Sequence, residues 1–338
     1  MRCLYAVLFL ILVVSSMLAG GCASREAARP AGPRGDYQKR LDKQKAGLPV
    51  ADEALQNLPQ MSVKEYEMAG DNYFLQNNLP MAFVQYDKAL QMAPATSNLR
   101  YKKGLIFLKR GLARDALQEF QEILKADNTF ALADEGAGQA CLLLGEMRQA
   151  EKYLQRAITL DASLWKSHNF LGMLYDYHQR FEDALASYKA AMALKKDEGL
   201  LFNNFGVSAY RKGDYENALR AFDKALNMGY VEARVYNNLG LSLAKLGRYQ
   251  EALLAFTRGG DRAKAYNNLG VIYLTEGKYP EAVAAFQAAM ELSPRYYTKA
   301  NENLRLAQQA LNALPRSPAA LSMPSEDSDA QAALPLDR

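Results

Sequence analysis

Glycine recurs at positions 70, 104, 138, 172, 206 and 240, a step of 34 residues each time, and once more at 270 after a step of 30. Twelve residues after each glycine stands an alanine: Ala82, Ala116, Ala150, Ala184, Ala218, Ala252 and Ala282. Sixteen residues after each stands a large apolar or aromatic side chain: Tyr86, Phe120, Leu154, Tyr188, Phe222, Phe256 and Phe286. Three positions held in phase over seven units constrain the fold more than composition does. A period of this size marks an array of supersecondary units, each burying its apolar face on its neighbours.

Taking the glycine as the eighth position, the units start at 63, 97, 131, 165, 199, 233 and 263. Positions 4, 7, 8 and 11 share one helical face, as do 20, 24 and 27, so each unit reads as two helices. Glycine at position 8 and alanine at 20 project little bulk and let the two helices approach closely. Position 15 is Gly111, Gly145, Gly213, Gly247 or Gly277, with Asn77 in the first unit. These are the residues a left-handed helix end favours. Gln179 breaks that rule in the fourth unit and weakens the expectation of the same turn there. Pro94 and Pro294 close the first and last units. The step of 30 implies a short second helix in the sixth unit, interrupted at Gly259-Gly260. Four residues are close to one turn, so their loss keeps the facing of the seventh unit, with a local bend expected.

The pattern, with "VYNNLG" ending at Gly240 and "AYNNLG" at Gly270, resembles the tetratricopeptide repeat (TPR) family. The resemblance implies an all-α chain: an α-solenoid, a right-handed superhelix of seven TPR hairpins over residues 63–296. A capping helix at 297–314 and a disordered tail at 315–338 complete the expected chain. In such an array the first helices line a concave groove, reached from positions 2, 5, 6, 9, 12 and 13. The amides there are Asn169, Asn203, Asn204, Asn237, Asn238, Asn267 and Asn268; the remaining candidates are Tyr177, Tyr210, Arg211, Arg234 and Lys245, with Lys166 and Lys264 on the same face. Amides can donate to and accept from a peptide backbone, and Tyr and Arg are common interface anchors. The bland alternative is that the asparagines hold the helices together. The TPR clamp for a C-terminal carboxylate uses Asn at position 9, where this chain has Met173, Val207, Leu241 and Val271; that ligand is not expected.

The first 22 residues, "MRCLYAVLFLILVVSSMLAGGC", carry one basic residue, a short apolar run from Leu4 to Leu18, and small residues before Cys22. This is a secretory signal pattern, and "LAGGC" resembles a bacterial lipoprotein box. The resemblance implies a signal peptide at 1–21, acylation of Cys22, and, with Ala23 next in the chain, sorting to the periplasmic face of the outer membrane. An ordinary cleaved signal and an uncleaved anchor are the alternatives. Residues 22–60 read as a basic, Pro/Gly-containing tether.

Charge and chemistry narrow the function. Residues 23–50 hold seven Lys/Arg against three acids, which accounts for the chain's formal +4. The repeats over 63–296 are close to neutral, 29 Lys/Arg against 27 Asp/Glu, with no strong basic field, so no nucleic-acid partner is expected. His168 and His178 have no Cys or acidic partner at metal-ligand spacing. "GAGQAC" (136–141) lacks the third glycine of a dinucleotide fingerprint, and Cys141 at position 11 reads as an apolar filler. The expectation is therefore no enzyme, no catalytic or metal residue, no cofactor and no small-molecule substrate. Anchor, tether and repeats together resemble the TadD-type lipoproteins of tight-adherence (Flp) pilus assembly and the pilotins. That implies a scaffold holding a secretin or another envelope assembly component. The alternative is an adaptor docking cell-wall hydrolases or proteases.

Overall fold

A computed structural model describes residues 61–293 and 298–313. The expected signal peptide, Cys22, the tether, Pro294 and the tail at 315–338 lie outside these residues. Within them are fifteen α-helices and no strand, as an all-α solenoid requires. The helices pair in order: α1 (Val63–Leu75) with α2 (Leu79–Met92), α3 (Ser97–Lys109) with α4 (Ala113–Ala126), and α5 (Ala131–Leu144) with α6 (Met147–Leu160). Next come α7 (Trp165–Tyr177) with α8 (Phe181–Leu194), α9 (Gly199–Lys212) with α10 (Tyr215–Asn227), and α11 (Ala233–Lys245) with α12 (Tyr249–Gly259). Last are α13 (Arg262–Thr275) with α14 (Tyr279–Leu292), and then α15 (Thr298–Asn312). The chain forms two compact units, one ending at Ala95 and the other starting at Thr96.

In the first unit, Ser62 and Glu65 form a reciprocal capping box at the start of α1, satisfying two backbone donors that a helix start leaves open. Asn77 takes the left-handed turn at φ 57°. The Tyr86 ring of α2 lies on Gly70, and its hydroxyl donates to Asp71 Oδ1 at 2.7 Å.

The second unit repeats that contact six times and explains the sequence rule. A Cβ at Gly104, Gly206 or Gly270 would stand 2.6, 2.7 or 2.6 Å from a ring carbon of Phe120, Phe222 or Phe286. The same holds for Gly172 on Tyr188 and Gly240 on Phe256, and Gly138 receives Leu154. Position 8 must therefore be glycine because the bulky side chain sixteen residues later rests on its backbone. Alanine at position 20 is fully buried in every unit. Interiors packed this densely leave no room for a methyl group without moving the ring.

The turns are set locally. Gly111, Gly145, Gly213, Gly247 and Gly277 have φ between 72° and 94°. Gln179 adopts φ 59°, so the fourth unit makes the same turn with a residue that bears a steric cost there. Between units, Asp127 Oδ1 accepts from Thr129 N and Asp161 Oδ1 from Ser163 N, both at 2.9 Å. The sixth unit's second helix is short, 11 residues. It stops because the backbone turns extended at Gly260, and Asp261 then caps α13 by accepting from Lys264 N at 2.8 Å. Gly259 is needed there because a Cβ would come 2.8 Å from the Ala233 carbonyl oxygen. The facing is kept: Phe286 meets Gly270 as Phe256 meets Gly240.

Within this second unit, neighbouring first helices approach one another along α3, α5, α7, α9 and α11. Among the described residues, neighbouring second helices do not approach comparably. The first helices are therefore the inner layer of residues 97–312. Helix α15 packs on α14 and reaches α13, burying Ala307 beside Phe286 and Ala282.

Candidate partner-binding wall

The inner wall is built from the first helices, and polar side chains lace it from one unit to the next. Asn204 Nδ2 donates to Asn169 Oδ1 at 3.0 Å, Asn268 to Asn237 at 3.1 Å, and Asn303 of α15 to Asn267 at 3.1 Å. One step earlier, where position 5 is an acid, Glu135 Oε2 accepts from Ser167 N and Ser167 Oγ at 3.1 and 2.9 Å. Position 6 thus reaches position 5 of the unit before at Asn204 and Asn268, position 3 does so at Ser167, and Asn169, Asn203 and Asn267 are buried. The amides expected to face a ligand are largely committed to each other.

One rung is open. Asn203 is 5% exposed; its Nδ2 donates to Asn204 Oδ1 at 3.2 Å, but its Oδ1 has no hydrogen-bond partner among the described residues. Asn238, the residue whose equivalents close the other rungs, is partly exposed. A buried amide oxygen without a donor costs free energy, so this position has unused bonding capacity.

The other expected groove residues divide by exposure. Tyr177 is 65% exposed, with its ring edge-on to His178 at 5.2 Å. Arg211 is exposed, 3.8 Å from Asp176 Oδ1 and with its guanidinium 5.0 Å from the Phe181 ring centre. Arg234, Lys245, Lys166 and Lys264 are exposed; Arg234 pairs with Glu232 at 2.7 Å and Lys264 with Asp261 at 3.0 Å. Tyr210 differs: it packs on the core and on Tyr215 at 5.4 Å, and burial pushes its hydroxyl up to about 12. Its role includes packing as well as presentation. Between the cations runs an apolar row at position 9, of which Met173 is exposed and Val207, Leu241 and Val271 are partly exposed.

Three acids on these helices are buried: Asp134, Glu135 and Asp176 at 0, 6 and 7% exposure. Arg156 Nε meets Asp134 Oδ2 at 2.9 Å, and Tyr188 donates its hydroxyl to Asp176 Oδ2 at 2.9 Å. Burial pushes all three carboxyls above their ordinary range, against the opposing pull of those partners. Cys141 is fully buried in the core of the third and fourth units, and burial raises its thiol to about 11, the inert thiol of a structural cysteine. Among the described residues, no group of three or more His, Cys, Asp or Glu side chains is placed to hold a metal ion. No helix among them is long and apolar enough to cross a membrane.

Sequence reasoning missed Gly136. It accounted only for Gly138, but a Cβ at Gly136 would also collide with Phe120, whose ring is held between Gly104 of its own unit and Gly136 of the next. The signal available was a second glycine at position 6, where the fifth to seventh units carry Asn204, Asn238 and Asn268.

Tetratricopeptide repeat models match residues 101–164 and 203–259, 167–201, and 263–296, more than half of the chain. The chain belongs to the tetratricopeptide repeat family. Its fold is similar to that of the C-terminal part of a TPR protein from Cytophaga hutchinsonii, with a TM-score of 0.53, 16% identity, and coverage of 70% of this chain and 98% of that one. It is also similar to a chain of the APC/C hetero-tetramer Cut9–Hcn1, with a TM-score of 0.52, 22% identity and coverage of 72% of this chain. This TPR chain spans 47% of the length of that one. No curated protein matches the sequence. A TPR fold implies binding of a protein partner and is in general a non-catalytic scaffold.

Proposed function

We propose that this TPR protein is a non-enzymatic lipoprotein scaffold on the periplasmic face of the bacterial outer membrane. Its first-helix wall holds a protein partner, a secretin or another envelope component, during assembly of a pilus or secretion machine, as a pilotin does. The observation that carries the reading is the wall itself: a laced inner layer with Tyr177 and Arg211 standing out from it. Buried lacing gives rigidity, and a rigid surface loses less entropy on binding. The anchor is supported by the sequence ending in Cys22, because acylation at one terminus would keep the array at the lipid surface.

Two measurements test this. Fatty-acid labelling in a bacterial host is expected for the parent chain and lost in Cys22→Ser; unchanged labelling would remove the anchor. Cross-linking capture from the periplasm should recover an envelope component with the parent chain and much less with Tyr177→Ala, Arg211→Ala. If both chains capture the same proteins equally, the wall is not the binding surface.

A further inference from the structure

The six first helices of the second unit, α3 to α13, carry eleven Lys or Arg residues and three acids. The three acids are Asp134, Glu135 and Asp176, all buried. Lys166, Arg211, Arg234, Lys245, Arg262 and Lys264 are exposed. The paired second helices, α4 to α14, carry nine Lys or Arg and eleven acids. The cations of the second helices are exposed too, but acids outnumber them there, so a chain that is near neutral over its repeats carries its net positive charge on the first-helix layer.

Helix dipoles do not account for this. They favour cations in the last turn, which covers Arg211 and Lys245, and disfavour them in the first turn. Lys166, Arg234, Arg262 and Lys264 all sit in first turns. Two of these have a local acid, Glu232 or Asp261, beside the helix start; neither pair removes the excess on the wall. The retained cost points to a ligand of opposite sign.

We propose that the wall from α7 to α13 binds an acidic, partly apolar segment of a partner protein. Its Asp or Glu side chains lie against Arg211 and Lys245, its apolar side chains on Val207 and Leu241, and its backbone at the open Asn203–Asn238 position. This rests on the wall being the binding surface, and adds the chemistry of what it holds. A peptide group suits the open rung because Asn238 is partly exposed there, and its amide can donate to a peptide carbonyl and accept from a peptide N–H. The apolar row distinguishes this surface from a nucleic-acid groove, which would use aromatic stacking platforms; Tyr177 is the exposed aromatic among the wall candidates.

The test uses the full chain in non-ionic detergent and a fluorescein-labelled peptide, Leu-Glu-Asp repeated four times. A neutral version has Leu-Gln-Asn repeated, and oligothymidylate of twelve residues is the nucleic-acid probe. The acidic peptide should bind about 10-fold or more tightly than the neutral one at low salt, the gap closing as salt screens the wall. Arg211→Glu, Lys245→Glu should cost about 10-fold or more in affinity for it. Arg148→Glu, Lys152→Glu on α6, with the same change in net charge, should cost little, and circular dichroism melting checks that both variants fold. Equal binding of acidic and neutral peptides, with loss on Tyr177→Ala alone, would overturn the acidic chemistry and leave the wall as a scaffold surface. Binding unaffected by any wall substitution would overturn the wall itself. Oligothymidylate binding more tightly than the peptide, through Arg211 and Lys245, would assign the surface to nucleic acid and overturn the proposal. Tighter peptide binding by Glu326→Gln, Asp327→Asn, Asp329→Asn would assign it to the chain's own acidic tail, with the same result.

Discussion

The two helical layers of residues 97–292 share one packing rule and differ in everything else. The first helices contribute the glycine and the second helices the bulky side chain that rests on it, in every unit. Outside that contact the first helices bury their acids and expose cations, while the second helices mix both signs. The lesson is that a repeat can hold its internal contact constant while each face is shaped independently. The contact lies inside one hairpin, and the faces lie outside it. Stability should therefore depend on the ring and glycine, and recognition on the inner face.

The largest effect is expected from the shared contact. Phe222→Ala should cost about 3–5 kcal/mol, because it removes a fully buried ring and leaves a cavity; chemical denaturation would measure it. Because repeat arrays lose cooperativity when one unit weakens, hydrogen exchange should show the fifth and sixth units opening first. A cost below about 1 kcal/mol would break the packing rule. The reciprocal change, Gly206→Ala, puts a methyl group 2.7 Å from the same ring and should cost about 1–3 kcal/mol by overpacking.

Smaller effects separate the turn and the lacing. Gln179→Gly should gain about 1 kcal/mol by relieving a left-handed residue, where Gly213→Ala at φ 94° should lose a similar amount; a thermal melt of each gives the sign. Asn169→Ala should cost about 1 kcal/mol, since it deprives Asn204 of its acceptor between units.

The smallest effect is in the pH dependence. Asp176 is raised by burial, so its folded form holds a proton more tightly than the unfolded chain does. Its contribution is present below the ordinary Asp range and is lost as pH rises through the raised value. Asp214 and Asp261 cap helices and are lowered, chiefly by hydrogen bonds from Asn217 and Lys264, so they contribute above the ordinary range and lose it as pH falls. Asp176→Asn keeps an oxygen acceptor for Tyr188. Denaturation midpoints should therefore shift in the variant's favour from about pH 4 to about pH 8; a difference independent of pH would contradict the sign.

The helical pairing was legible because one contact ties three residues of each unit together, and glycine, alanine and ring recur in phase. The turn at Gln179 was the weak point of that reading, and the structure makes the same left-handed turn there at φ 59°. The role of the amides was not legible. Their bonds join residues 31 to 36 apart, and which position 6 finds its position 5 depends on how two units stack. The cationic face was present in the sequence but hidden by summing charge over the whole array; it emerges when the helices are sorted by layer. Gly136 escaped because its partner, Phe120, belongs to the preceding unit.

The division into layers can be read from one cross-linking experiment. A photo-reactive benzoylphenylalanine is placed at Tyr177 on a first helix or at Leu254 on a second, both exposed, and the labelled acidic peptide is added. Cross-linking from position 177, suppressed by Arg211→Glu with Lys245→Glu, and none above background from 254, is the predicted result. Equal cross-linking from both positions would contradict the division of the array into a binding layer and a supporting one.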